Sequence, residues 1–210
     1  MYQAVLFDLD GTLTNTLEDI AFAMNRALRI HGLPEHPVEK YRYLVGSGAR
    51  MLAKRAVGEQ AELVEGVLET YQAYYQEHNL DRTAPYDGVT EMLQALQARG
   101  VKLCVFSNKP HADTCRVVEH FFPGIDFAAV RGQMEGVPVK PDPAGALAMA
   151  EALGTAPADF LYLGDTDVDM ICARNAGMHP VGVTWGFRDE EELRSAGAER
   201  LIHHPMDLFV

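Results

Sequence analysis

The 210-residue chain has few positively charged side chains. It contains 18 lysines and arginines against 30 aspartates and glutamates, which gives a formal net charge of −12 at pH 7. Nucleic acids and anionic membrane surfaces both bind proteins through a basic face, so this balance argues against either as a partner. A small anionic ligand remains compatible, because a few focused cations can hold one in an otherwise negative protein.

Cysteines and long apolar runs are also scarce. The three cysteines, Cys104, Cys115 and Cys172, are widely spaced and form no Cys-x-x-Cys pair, so they indicate neither a disulfide framework nor a zinc site. An odd number of unpaired thiols is typical of a reducing compartment. No apolar run approaches the roughly 20 residues of a membrane span, and no signal-type segment opens the chain. We therefore expect a cytoplasmic protein.

Short apolar runs are, by contrast, abundant and regularly placed. Hydrophobic residues make up 48% of the chain, which is enough for a packed core. Most of the runs are continuous rather than alternating, as is typical of strands buried on both faces of a parallel sheet. They cover Ala4–Phe7, Val101–Phe106, Phe127–Val130, Phe160–Leu163 and Val181–Val183.

Helical patterns lie between these runs in the second part of the chain. They cover Asp87–Arg99, His111–Phe121, Pro143–Leu153 and Val168–Ala176. Such alternation of strands and helices predicts an α/β fold with a doubly wound parallel sheet, that is, a Rossmann-like core.

One long segment interrupts the alternation after the first strand. Residues 16–82 contain no convincing strand, and their apolar spacing predicts helices at Leu17–Ile30, Ala49–Val57 and within Glu59–His78. We interpret this segment as a helical cap domain inserted into a discontinuous core domain made of residues 1–15 and 83–210. Tyr71, Tyr74 and Tyr75 fall on the last of these helices.

Polar side chains collect where the predicted strands end. Carboxyl ends of parallel strands meet at one edge of an open α/β sheet, which is where such folds bind ligands. The candidates are Asp8, Asp10 and Thr12 after the first strand, Ser107 and Asn108 after the second, Asp165 and Asp169 after the fourth, and Lys140 before a helix. Carboxylates suit Mg²⁺ rather than zinc, and Lys and Ser with backbone amides suit a phosphate group.

Each group also has a purely structural explanation. Ser107 and Asn108 are favoured at a helix N-cap, Lys140 is of a type usually found at the surface, and aspartates such as Asp165 and Asp169 favour a helix N-terminus. The occurrence of all these groups in one order at strand ends favours a site over coincidence.

The four segments together resemble the motifs of the haloacid dehalogenase superfamily of phosphohydrolases. The matching segments are Asp8-x-Asp10-Gly11-Thr12, Ser107, Lys140-Pro141 and Gly164-Asp165-x-x-x-Asp169. The position of the helical segment is similar to that of members with an α-helical cap. The segments Ser107-Asn108-Lys109-Pro110, Lys140-Pro141-Asp142-Pro143 and Val45-Gly46-Ser47-Gly48-Ala49-Arg50 resemble phosphoglycolate phosphatases.

The resemblance implies a role for each acidic motif residue. Asp8 would be the nucleophile and a ligand of Mg²⁺, and Asp10 would be the general acid and base and bind the ion through its backbone carbonyl. Asp165 would be a further metal ligand, and Asp169 would orient the metal's surroundings. Lys140 would neutralise the phosphate and hold Asp8 in place.

The resemblance also implies how the phosphoryl group is bound. Thr12 and Ser107 would donate hydrogen bonds to its oxygens, with the backbone amides near Leu9 and Asn108 assisting. Lys140 would contribute its charge to the same group. The implied reaction is hydrolysis of a small phosphate monoester through an aspartyl phosphate on Asp8.

Substrate choice is expected to lie in the cap. Gly46, Ser47 and Gly48 could bring backbone amides close to a ligand, and Arg50 offers a guanidinium for a carboxylate such as that of phosphoglycolate. The alternative is a glycine-rich turn that opens a helix with Arg50 on its solvated face. Asn15 is a departure, since the family often has aspartate there; the segment Arg131-Gly132-Gln133 also differs from the usual pattern.

Several functions share this set of residues. The leading hypothesis is a Mg²⁺-dependent phosphatase for 2-phosphoglycolate, and the alternatives are a phosphatase for pyrophosphate or nucleotides and a phosphomutase similar to β-phosphoglucomutase. A non-enzymatic binding protein is less well supported, because the nucleophile, acid and metal ligands are all present. The partner is expected to be a small phosphorylated metabolite, and the chain a monomer or a homodimer.

Overall fold

A six-stranded parallel sheet forms the centre of the protein. The computed structural model describes residues 2–210. The sheet strands are β1 (Ala4–Phe7), β4 (Lys102–Pro110), β5 (Phe127–Gln133), β6 (Phe160–Gly164), β7 (His179–Val183) and β8 (Arg200–Ile202), and a separate pair is formed by β2 (Thr14–Asn15) and β3 (Ala84–Pro85). The order across the sheet is β5-β4-β1-β6-β7-β8.

The first strand lies inside this sheet. All four residues of β1 are buried, and Ala4 is aligned with Lys102 of β4 on one side and with Phe160 of β6 on the other. A continuous apolar strand is required here, because helices cover both faces. This arrangement places the carboxyl ends of β1, β4 and β6 next to one another.

Nine α-helices surround or extend the sheet in the described part of the chain. They are α1 (Leu17–Ile30), α2 (Tyr41–Leu44), α3 (Ala49–Val57), α4 (Val64–His78), α5 (Val89–Ala98), α6 (His111–Phe121), α7 (Ala144–Ala152), α8 (Asp167–Ala176) and α9 (Glu190–Ala196). Apolar residues of α5 and α6 pack with one set of strand side chains, and those of α7 and α8 pack with the other. The fold is therefore the doubly wound α/β sheet that the sequence predicts.

Helices α1–α4 all fall between residues 16 and 82, and we call this part the helical insert. They share a hydrophobic cluster of their own, in which Met24, Tyr41 and Val67 are fully buried. Phe187, from the loop after β7, packs against the same cluster and so joins the insert to the core. None of the helices in residues 2–210 has the length and hydrophobicity needed to cross a bilayer.

Two adjacent linkers connect the insert to the sheet. The short strands β2 and β3 pair in antiparallel fashion, with Asn15 aligned with Ala84. Next to them, the carboxylate of Asp19 accepts hydrogen bonds from the backbone amides of Arg82 and Thr83 and from the Thr83 hydroxyl, at 2.8–3.0 Å. This carboxylate therefore ties the start of the insert to its end.

Some element boundaries differ from the sequence-based prediction. Strand β4 runs on to Pro110 and β5 to Gln133, and the last strand of the sheet, β8, was not predicted. Three-residue strands such as β8 are too short to show a pattern of their own. Helix α5 begins at Val89 rather than Asp87, because Gly88 has a positive φ of 79°.

Candidate active site

Side chains from three neighbouring strands converge at one edge of the sheet. Asp8 directly follows β1, Ser107 lies in the last part of β4, and Asp165 directly follows β6. All three are at least 94% buried. The topology therefore brings together residues that are up to 157 positions apart in sequence.

Three carboxylates and one ammonium group form the centre of this site. Asp8, Asp165 and Asp169 each offer an oxygen atom within 4.8 Å of the others. The Nζ atom of Lys140 lies 2.7 Å from Asp8 Oδ1 and 2.7 Å from Asp169 Oδ1, and it also donates to the Phe106 carbonyl at 3.1 Å. Lys140 is thus a buried counter-ion rather than a surface lysine.

Burial makes this concentration of negative charge costly. Burial raises the pKa of Asp8 to about 7 despite the opposing effect of Lys140, and burial together with the Asp8 and Asp169 carboxylates raises the pKa of Asp165 well above its usual range. Burial would lower the pKa of Lys140, but the carboxylates of Asp169 and Asp8 raise it overall, so this side chain stays charged.

The donor set and the charge of this cluster fit a divalent cation. Three carboxylates and one ammonium group have a net charge of −2 when all are ionised, and all available ligand atoms are oxygens. Oxygen ligands of this kind suit Mg²⁺. We infer the fit from these buried side chains, with Asp8 and Asp165 as the predicted metal-binding carboxylates.

Asp165 is held in a tight backbone environment. Its Oδ2 accepts a hydrogen bond from the Phe187 amide at 2.8 Å, and its Oδ1 accepts one from the Thr12 hydroxyl at 3.0 Å. A Cβ atom at Gly11 would lie 2.2 Å from Asp165 Oδ2, and one at Gly186 would lie 2.2 Å from Asp165 Cβ. These two glycines allow the backbone to close around the carboxylate.

The placement of Thr12 differs from the expected phosphate contact. Thr12 is 1% exposed, its hydroxyl donates to Asp165, and the residue does not line the cavity described below. The side chain therefore supports the carboxylate cluster, because its one hydroxyl proton is used there.

Asp169 is fixed by the start of α8. Its Oδ2 accepts hydrogen bonds from the Thr166 hydroxyl at 2.6 Å and from the Thr166 amide at 3.2 Å. Thr166 and Asp169 thus form a capping box at the N-terminus of the helix. Since Oδ2 is used in the cap, Oδ1 is the atom that faces Lys140.

Ser107 and Asn108 lie at the end of β4 and have different partners. The Ser107 hydroxyl accepts a hydrogen bond from the Lys109 amide at 3.2 Å and lines the cavity. Asn108 Oδ1 accepts from the Lys140 amide at 2.8 Å, while its Nδ2 donates to the carbonyls of Lys140 and Gly46. Asn108 therefore positions Lys140 and contacts the insert.

Asp10 is paired with Lys109, a residue of a predicted site segment to which the sequence assigns no role. Lys109 Nζ lies 2.9 Å from Asp10 Oδ1 and 3.1 Å from Oδ2, and it also donates to the Tyr75 hydroxyl of α4 at 2.6 Å. Lys109 stands beside the predicted Ser107-Asn108 segment, but nothing in its spacing shows that its side chain turns towards Asp10.

A cavity separates the carboxylate cluster from the helical insert. Its core side is formed by Asp8, Asp10, Ser107, Asn108, Lys109, Pro110, Asp113, Lys140 and Phe187. Its insert side is mostly apolar or aromatic and is formed by Ile20, Val45, Gly46, Gly48, Ala49, Leu52, Tyr71, Gln72 and Tyr75. A ligand in this cavity would therefore contact the charged groups of the core on one side and the mostly apolar insert on the other.

The predicted recognition loop lines this cavity only in part. Gly46 and Gly48 line it, with positive φ angles of 108° and 84°. Ser47 instead accepts a hydrogen bond from Arg55 at 3.0 Å, and Arg50 lies on the exposed side of α3, where it pairs with Glu65 at 2.8 Å. The placement of Arg50 corresponds to the solvated alternative and does not support contact with a substrate carboxylate.

The loop after β7 connects the insert to the carboxylate cluster. Arg42 of the insert donates to the Gly186 carbonyl at 2.6 Å and to the Phe187 carbonyl at 3.2 Å. In the opposite direction, Arg188 donates to the carbonyls of Val45, at 3.1 Å, and Arg42. The sequence does not predict this connection, because contacts from arginine side chains to backbone carbonyls leave no motif.

Comparisons with known proteins find relatives over nearly the whole chain. The family model described as haloacid dehalogenase-like hydrolase matches residues 5–183. A phosphoglycolate phosphatase of Caulobacter vibrioides is 34% identical over 209 residues, which cover 97% of this chain and 88% of that protein. An N-acetylmuramic acid 6-phosphate phosphatase of Pseudomonas aeruginosa is 33% identical, with coverage of 99% and 93%.

A solved structure shows the same fold. The crystal structure of a predicted phosphoglycolate phosphatase from Haemophilus somnus superimposes with a TM-score of 0.90 at 30% sequence identity. The match covers 99% of this chain and 96% of that one. The sheet, the helical insert and their connection thus recur together in a second protein.

Proposed function

Because the chain belongs to the haloacid dehalogenase-like hydrolase family, we propose that it is a Mg²⁺-dependent phosphatase that works through an aspartyl phosphate on Asp8. The relatives agree that the enzyme class is phosphoric monoester hydrolysis. The observation that carries the proposal is the buried cluster in which Lys140 bridges Asp8 and Asp169 next to Asp165.

The proposed reaction is two successive phosphoryl transfers. In the first, an oxygen of Asp8 attacks phosphorus while the ester bond breaks, and Asp10 gives a proton to the leaving oxygen. In the second, water attacks the phosphorus of the aspartyl phosphate, Asp10 takes a proton from it, and the bond to Asp8 breaks.

The other residues stabilise charge and hold the reacting groups. Lys140 keeps the Asp8 carboxylate in position, and its positive charge would stabilise the phosphoryl group carried by that carboxylate. Asp8, Asp165 and the backbone carbonyl of Asp10 would hold Mg²⁺, which when bound neutralises negative charge on the phosphoryl group. Ser107 lines the cavity and would donate its hydroxyl proton to a phosphoryl oxygen.

We propose small phosphate monoesters as substrates, with 2-phosphoglycolate as the first candidate. Relatives with that name, including the Caulobacter protein, support this choice. The Pseudomonas relative makes a phosphorylated amino sugar a second candidate worth testing. Closure of the helical insert as a cap would exclude water from the cavity during the first transfer.

Phosphate release from a substrate panel tests this proposal. The panel contains 2-phosphoglycolate, N-acetylmuramic acid 6-phosphate, a hexose phosphate, a nucleotide, pyrophosphate and 4-nitrophenyl phosphate, each with Mg²⁺ and with EDTA. We expect turnover of at least one alkyl monoester, abolished by EDTA and by Asp8→Asn. Turnover of pyrophosphate or the nucleotide alone would change the substrate class, and isomerisation of the hexose phosphate without phosphate release would favour a phosphomutase.

Detection of the phosphorylated enzyme tests the intermediate itself. A brief reaction with a ³²P-labelled substrate, followed by acid quenching, should leave label on the wild-type protein and none on Asp8→Asn. Mg²⁺-dependent turnover without any label, even under single-turnover conditions, would contradict the aspartyl phosphate.

A further inference from the structure

Lys109 has an environment that none of the motif roles explains. Its side chain is only 3% exposed although it carries a charge. Its Nζ atom faces three oxygen acceptors, the two Asp10 carboxylate oxygens and the Tyr75 hydroxyl. An ammonium group has three N–H bonds, so these contacts leave none free for a ligand.

The backbone at Lys109 is fixed by residues of β4, β5 and α6. Its amide donates to the Ser107 hydroxyl at 3.2 Å, and its carbonyl accepts a hydrogen bond from the Thr114 hydroxyl at 3.2 Å. Gly132 of β5 packs so closely that a Cβ atom there would lie 2.6 Å from the Lys109 carbonyl oxygen. The backbone from which the Lys109 side chain extends is therefore held in place.

The contact on the opposite side comes from the helical insert. Tyr75 is 3% exposed and stacks on Tyr71, with 5.2 Å between ring centroids. Burial raises the pKa of Tyr75 well above its usual range, so the hydroxyl stays neutral and accepts from Lys109. Tyr75 can make this contact only while α4 lies over the sheet edge.

We propose that Lys109 is a positioning residue, which holds the carboxyl group of Asp10 for proton transfer. Its ammonium group receives its third hydrogen-bond acceptor, the Tyr75 hydroxyl, from the closed insert. The inference rests on the proposed function, because it concerns the group that exchanges protons there. Both Asp10 oxygens accept from the ammonium group, at 2.9 and 3.1 Å, which fixes the plane of the carboxyl group. Each oxygen keeps a second lone pair that can face the reacting atoms.

The positioning of Asp10 matters for substrates whose leaving group must receive a proton. When an alkyl ester bond breaks, the leaving oxygen must receive the proton of Asp10 because an alkoxide is a poor leaving group. A 4-nitrophenolate ion leaves without that proton. The ratio kcat/KM reports only the steps up to the first phosphoryl transfer. It therefore measures how strongly the departure of the leaving group depends on the Asp10 proton, without a contribution from the later hydrolysis of the aspartyl phosphate.

Two variants and two matched controls test the inference. Lys109→Met keeps the length of the side chain without its charge, and Tyr75→Phe removes only the hydroxyl. Lys102→Met is the control for the lysine, since Lys102 donates to Leu153 and Thr155 away from the cavity. Tyr74→Phe is the control on α4, since Tyr74 instead stacks on His78.

The ratio kcat/KM is measured with two alkyl substrates, ethyl phosphate and 2-phosphoglycolate, and with the aryl substrate 4-nitrophenyl phosphate. For Lys109→Met we expect losses of about 100-fold with both alkyl substrates and less than about fivefold with the aryl substrate, as for loss of an acid catalyst. For Tyr75→Phe we expect kcat/KM with the alkyl substrates to fall by about tenfold, and both controls should match the wild type. In an Asp10→Asn background, Lys109→Met should cause no further loss, because it acts through Asp10.

Three results would overturn the inference. The first is an equal loss with alkyl and aryl substrates, and the second is full additivity with Asp10→Asn. The third is an increase in KM alone that occurs with phosphoglycolate and not with ethyl phosphate, which would make Lys109 a substrate contact. If Lys109→Met does not fold, the alkyl-to-aryl ratio of Tyr75→Phe decides. Failure of the proposed function is seen separately, as absence of Mg²⁺-dependent turnover by the wild type.

Discussion

Gly186 shows how little space surrounds the central carboxylate. A Cβ atom there would lie 2.2 Å from Asp165 Cβ and 2.4 Å from the Gly11 carbonyl oxygen, and neither neighbour is the free end of a flexible side chain. The methyl group of an alanine would therefore displace Asp165 itself. At this position, the absence of a side chain is part of the active site.

The variant Gly186→Ala tests whether a side chain at this position displaces Asp165. We expect a loss of about 1–3 kcal/mol of unfolding free energy, as for other overpacked sites, together with a marked loss of phosphatase activity. Urea unfolding and kcat measure the two effects. Gly124→Ala is the control, since no heavy atom lies within 4 Å of its Cβ position, and it should leave both quantities near wild type. Equal stability of the two variants would contradict the close packing.

Individual residues also show what sequence could and could not predict. Asp8, Lys140 and Asp165 were predicted, because each motif residue either directly follows a recognisable strand or precedes a predicted helix. The side-chain directions of Thr12 and Arg50 were not, because a strand end or a helix start allows several partners. Lys109 lies in a predicted site segment, but its role was not predicted, because its partners, Asp10 and Tyr75, lie 99 and 34 positions away.

The two linkers of the insert are joined to each other by the carboxylate of Asp19. Asp19 is 3% exposed and accepts from two amides and one hydroxyl of residues 82–83, although it belongs to the first turn of α1. Its carboxylate therefore closes a loop of more than sixty residues. Sequence patterns predict helix α1 but not this contact, because a single buried aspartate in a first turn usually only favours the helix dipole.

Asp19→Ala should loosen the connection between insert and core. Hydrogen bonds to a charged group contribute about 1.5–3 kcal/mol, so we expect a loss of roughly that size in unfolding free energy. Hydrogen exchange at the amides of Arg82 and Thr83 should become faster, while the amides of β1 stay protected. Glu18→Ala, which removes only an exposed partner of Arg82, is the control. Unchanged exchange at residues 82–83 would show that the β2–β3 pair alone fixes the linkers.

For the whole molecule, the buried carboxylates predict how stability depends on pH. Because the pKa of Asp8 is raised to about 7, the metal-free folded state binds a proton that the unfolded state has already released. That contribution to stability is present below the unfolded pKa of about 4 and is lost as the pH rises through about 7.

Mg²⁺ should reverse this trend. Since the proposed ion would bind the ionised carboxylates, its stabilising effect should grow between about pH 5 and about pH 8. Thermal unfolding with MgCl₂ and with EDTA across this range measures the difference in Tm. Asp165→Asn, which removes a proposed ligand, should abolish most of the difference. A Mg²⁺ effect that is constant with pH would contradict titration of the cluster in the metal-free protein.

The dipeptide Gly186-Phe187 has one further consequence. Its Phe187 amide is bonded to Asp165, and its two carbonyls are bonded to Arg42 of the insert. The same two residues thus contact both the proposed metal ligand Asp165 and the helical insert, so the proposed ion binding and the docking of the insert depend on one short backbone segment. Such coupling is reciprocal: if docking of the insert tightens ion binding by some factor, ion binding must favour the docked insert by the same factor.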